Sequence, residues 1–131
     1  MREDLIAYLK TLSLGTIGVS EELPWTKDGD PLYLKNYKKI YVDRPLITQD
    51  AVINTLAGSS IVNQTTAVTA YLTVDAKNQP SNLAQVISDL TAARGEIQSA
   101  NQHSRTCSVT QEYQGDALVA TFEYNFIELL T

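Results

Sequence analysis

The chain has 131 residues, 44% hydrophobic and 19% charged, with a formal net charge of −5. That length fits a single domain with one core; the acidic balance argues against sequence-specific nucleic-acid binding, which uses basic faces; and no apolar run approaches the roughly 20 residues that span a bilayer. Met1-Arg2-Glu3-Asp4 places acid where a signal peptide is basic, and the lone Cys107 excludes an internal disulfide framework, so assembly in a reducing cytoplasm is expected.

Leu5, Ile6, Leu9 and Leu12 recur at helical spacing and predict a short amphipathic helix stopped by Gly15. Residues 14–36 then lose all period through Gly18, Pro24, Gly29 and Pro31 and hold the only tryptophan, Trp25. They read as a long excursion with a short strand from Thr16 to Ser20, whose Ile17 and Val19 share one face. Ile40 and Val42, flanked by Tyr37 and Tyr41, predict a strand that ends before Pro45. A second excursion covers 45–64, where D-A-V-I-N-T-L-A-G fits either a short helix started near Thr48 or an irregular arm closed by Gly58.

Thr65 to Asp75 alternates strictly: Val68, Ala70, Leu72 and Val74 point one way, and Thr69, Tyr71 and Thr73 the other, as in a half-buried strand. Pro80 and Ser81 start a helix whose stripe of Leu83, Val86, Ile87, Leu90 and Ile97 must cover the sheet, with Gln85, Asp89 and Gln98 outside it. The last third predicts a hairpin: Thr106 to Tyr113, a turn at Gln114-Gly115-Asp116, then Ala117 to Ile127. Leu118, Ala120, Phe122, Tyr124 and Phe126 face the core, while Val119, Thr121, Glu123 and Asn125 form a mixed outer surface. The fold class is therefore α+β: an antiparallel sheet of about four to five strands with helices packed on one face, in the order α-β-β-α-β-β. Leu72, Leu90 and Phe122 are expected to meet in the core of this single domain, 1–131.

No catalytic constellation emerges. His103 and Cys107 are the only imidazole and thiol, and on one extended strand their Cα atoms stand about 13 Å apart, too far for a dyad. They also fall short of a closed zinc site. T-K-D-G-D-P places its glycine between Asp28 and Asp30, with Lys39 where a calcium loop needs glutamate, so it reads as a turn. Phosphate cradles, nucleophile elbows and metalloprotease motifs are absent from the sequence, and Glu21-Glu22 sit in an exposed loop. Lys35, Lys38 and Lys39 read as solvent-facing or edge lysines. The expectation is a non-enzyme without cofactor or metal.

The leading helix, the strand Y-K-K-I-Y-V, the strand T-A-V-T-A-Y-L-T-V with its Pro-started helix, and the closing D-A-L-V-A-T-F-E-Y-N-F together resemble the tail terminator proteins of long-tailed, lambda-like, siphovirus-type bacteriophages. The likeness runs from Tyr37 to Ile127 and is one of length, order and pattern, so no individual functional residue is carried over. It implies a structural virion protein, assembled in the host cytoplasm, whose copies form a homo-hexameric ring on the head-proximal end of the tail. That ring stops polymerisation of the tail tube protein and presents the surface joined by the head completion or connector protein. The turn-rich segments 14–36 and 45–64 depart from a plain terminator core and leave room for a related tail or neck component. A cytoplasmic protein-binding module and an undetected hydrolase are rival expectations. From the residues themselves, aromatics in or beside the first excursion are natural interface anchors, giving Trp25, Tyr33, Tyr37 and Tyr41, joined by Tyr71 and Thr73 on the strand's outer face.

Overall fold

Two long strands with period-two alternation organise the molecule. The computed structural model describes residues 1–54, 60–97 and 102–130; Gly58 and Gln98, given roles above, lie outside them. Strand β4 (Ser60–Asp75) pairs antiparallel with β6 (Ala117–Leu130), which sets Val68, Ala70, Leu72 and Val74 beside Tyr124, Phe122, Ala120 and Leu118. Their apolar residues therefore share one face. Strand β5 (Gln102–Gln114) flanks β6 through the two-residue loop Gly115-Asp116. Gly115 takes φ 60, a left-handed conformation that costs glycine nothing at the first loop position.

On the far edge of β4 two strands lie end to end. Strand β2 (Lys39–Val42) pairs with Ala70 to Thr73, and β3 (Leu46–Asn54) pairs with Ser60 to Ala67. A two-residue strand, β1 (Gly18–Val19), adds parallel to β2. The result is a mixed α+β fold with one six-stranded sheet, ordered β1-β2-β4-β6-β5 with β3 beside β4. Both readings of the second excursion need correction, since residues 46–54 form a strand, with one register irregularity between Ala51 and Ile53. Pro45 interrupts the edge, and a segment rich in β-branched residues then resumes pairing along the edge of β4.

Helix α1 (Arg2–Lys10) buries Leu5, Ile6 and Leu9. It stops at Lys10, short of Gly15, because the backbone N–H and the hydroxyl of Thr11 both turn back to the Tyr8 carbonyl, at 2.9 and 2.6 Å. Helix α2 (Leu83–Ala92) begins after Asn82, whose side-chain amide donates to the Leu14 carbonyl at 3.2 Å instead of capping its own helix. Gly15 is needed there: it takes φ 66, and a Cβ would lie 2.9 Å from the Asn82 amide nitrogen. Leu83, Val86 and Leu90 of α2, Ile97 beyond it, and the α1 residues join the sheet residues from Val68 to Phe126 in one buried cluster. Leu72, Leu90 and Phe122 all belong to it and are at most 1% exposed. Arg2 fastens the layers by donating to the carbonyls of Val42 and Glu21, each at 2.8 Å.

The opposite sheet face is covered only at one end. A 3-10 turn in the first excursion, Leu32–Leu34, brings Tyr33 onto Tyr41 and Val119, with Leu32, Leu34 and Tyr71 around them. Val119, expected on a mixed outer surface, is consequently only 2% exposed. Past Thr66 and Phe126 both covers end among the described residues, and β3, β4, β6 and β5 continue side by side as a four-stranded arm. Ile47, Thr66, Phe126 and Arg105 stand in register across its base.

Candidate assembly surface

Three rings named as interface candidates pack on one another. Tyr33 stacks on Tyr71 with centroids 4.3 Å apart, and Trp25 meets the two edge-on at 5.6 and 5.9 Å. These are the favoured arrangements for aromatic quadrupoles. Trp25 is held on a small hairpin: Thr26 N–H donates to the Asp30 carbonyl at 2.8 Å, Gly29 takes φ 84, and Asp30 N–H donates to Thr26 Oγ1 at 3.1 Å. D-G-D-P is thus a turn. The indole Nε1 donates to Asp43 Oδ2 at 3.0 Å, which locks the ring to the end of β2. Burial raises the hydroxyl pKa of Tyr33, Tyr41 and Tyr71 above the ordinary value, and for Tyr71 the Asp43 carboxylate adds to the rise.

The excursion folds back onto the outer face of β2 and β4, so part of the candidate set becomes a second core inside the subunit. Tyr41 is 1% and Thr73 0% exposed, which leaves neither any surface for a neighbour to touch. Tyr33 is buried as well. Thr73 also carries a hydroxyl without a hydrogen-bond partner among the described residues, while its carbonyl accepts the N–H of Lys38 at 2.8 Å. Trp25 and Tyr37, at 39% and 44% exposed, and partly buried Tyr71 retain contact area.

Further exposed large apolar side chains lie at the base and along the arm, while Tyr113, 67% exposed, lies at the far end of β5. Leu46 and Ile47 of β3 are 66% and 55% exposed, and Leu129 near the end of β6 is 41% exposed. Register places Leu46 and Leu129 on the outer face, with Tyr71, and Ile47 on the helix side. Around them stand polar residues such as Thr48, Thr65 and Asn63, and Gln49 donates to Gln64 across the strand pair at 2.7 Å. Sequence reasoning missed these apolar residues because it did not resolve 45–64 and ended the last strand at Ile127. The signal that could have found them was the β-branched content after Pro45.

His103 and Cys107 both lie on β5, the extended case in which no dyad forms. Burial pushes the Cys107 thiol from 9.0 up to about 11, against the opposing influence of Arg94 and a hydrogen bond with Tyr124, so it is neutral near pH 7. Among the described residues no three His, Cys, Asp or Glu side chains are grouped to hold a metal, and no helix is long and apolar enough to cross a membrane. A scan against protein-family models gives no match to the sequence, and a search of curated proteins finds none either.

Proposed function

We propose that the protein is a structural virion component of the tail terminator type. Its copies join head to tail in a hexameric ring at the head-proximal end of a phage tail tube. The ring stops tube polymerisation and offers the head completion or connector protein its docking surface. The observation that carries this reading is the arm: four strands leave the helix-covered core with Leu46, Ile47 and Leu129 uncovered. Large apolar side chains left at the surface, here Leu46 and Leu129 on the outer face and Ile47 on the helix side, are candidates for association sites. In this reading the helices on one sheet face form the terminator core, and β1 and β3 are additions to it. The pinned Trp25–Tyr33–Tyr71 cluster supports the same conclusion, because a surface held rigid by its own subunit loses little conformational entropy on binding.

The protein then acts by occupying space. A heterologous contact that closes on itself makes a ring, and a ring seated on the tube covers the surface to which the next tube protein would add. Mass photometry with and without polymerised tail tubes tests this. The expected species is about 86 kDa, six times the 14.4 kDa chain, found free or at tube ends. A persistent monomer that neither forms rings nor caps tubes contradicts the reading, and rings that ignore tubes favour a neck component.

A further inference from the structure

We infer that subunits join edge to edge, β5 of one copy pairing antiparallel with β3 of the next, so that the arm's sheet runs unbroken from subunit to subunit. This rests on the self-association proposed above and specifies its joint. Within the arm β3, β4, β6 and β5 alternate in direction, so the two outermost strands run opposite ways. Rotation about an axis lying along the strands preserves their directions. The β5 edge of one copy therefore meets the β3 edge of the next in antiparallel sense, continuing the pattern of the joints inside the arm.

Both edges are unpaired among the described residues, and each carries one register irregularity, between Ala51 and Ile53 in β3 and between Gln102 and Ser104 in β5. Among the described residues β3 pairs only with β4, and β5 only with β6. Natural edge strands are blunted by proline, lysine or shortness. Strand β3 has nine residues without proline or lysine, and its single charge is Asp50. From Gln102 to Thr110 the one fixed charge of β5 is Arg105, whose guanidinium turns to the Gly95 carbonyl at 3.0 Å. By contrast β2 is short, begins with Lys39 and has β1 at its side.

Disulfide trapping tests the joint. In a Cys107→Ser background, Thr48→Cys is combined in turn with Ser104→Cys, Thr106→Cys, Ser108→Cys or Thr110→Cys, all outer-face positions of β5 and together spanning neighbouring registers. Within one chain β3 and β5 are three strand spacings apart, about 14 Å, beyond the roughly 7 Å that a disulfide bridges. Any bond between them therefore links two copies. Under ring-forming conditions at least one pair should give a ladder of covalent oligomers up to ring size, about tenfold or more above either single-cysteine variant. Rings that form while every pair cross-links no better than the singles overturn the joint and leave the ring standing. Efficient dimers from a single-cysteine variant show a symmetric joint and also overturn it. If the wild-type chain forms no ring, the functional reading itself fails, and the joint with it.

Discussion

Tyr124 reaches from β6 across the core to donate its hydroxyl to the Leu90 carbonyl of α2, and it neighbours Cys107 on β5. Replacing it in Tyr124→Phe keeps the ring but leaves that buried carbonyl without this donor. The expected cost is about 1–3 kcal/mol, read as a lower urea midpoint at unchanged slope. Cys107 supplies a pH dependence of defined sign. Its folded pKa, about 11, lies above the ordinary 9.0, so between these values the native state keeps a proton that the unfolded chain has released. Stability from this group is complete below pH 9.0 and is lost as pH rises toward about 11. Cys107→Ser should flatten the first part of that alkaline decline, leaving the later loss from Tyr33, Tyr41, Tyr71 and Tyr124, whose pKa values burial also raises. Urea titrations from neutral to strongly alkaline pH compare the two proteins.

Element by element, the sequence was legible wherever one face of a strand or helix is enclosed and the other is not. Residues 65–75 alternate because the helices cover Val68 to Val74, and Leu83, Val86 and Leu90 keep helical spacing because one side of α2 meets the sheet. Strand β3 left no such imprint, since the arm lies beyond the sheet's covers and nothing selects a period there. The excursion misled in another way: its aromatic residue types were visible, but their direction depends on the Pro24 carbonyl accepting the N–H of Leu32, at 2.7 Å, and on the Trp25–Asp43 hydrogen bond. Such contacts carry no short-range signature. The two faces of β4 give a direct comparison. Leu72→Ala, in the main core, should cost about 2–5 kcal/mol. Tyr71→Ala gives up its pairs with Tyr33 and Trp25 and should cost about 1–2 kcal/mol while leaving the subunit folded. Thermal melts decide it, and a Leu72→Ala protein that melts like wild type while Tyr71→Ala unfolds would contradict the assignment of faces.

For the molecule as a whole, the proposed function gives one sheet two purposes: its helix-covered part makes the subunit, and its arm is left for other chains. That division explains why a chain with an ordinary apolar fraction of 44% keeps Leu46, Ile47 and Leu129 at its surface. Under the proposed function the protein's role is stoichiometric, one ring ending one tube. The direct measurement is tube elongation: short tail tubes are incubated with the purified protein, supplied with fresh tube protein, and their lengths measured by electron microscopy. Tubes carrying the protein at one end should stop growing at that end once about one ring per tube is present. Unchanged elongation, with the protein absent from the tube ends, would contradict the account.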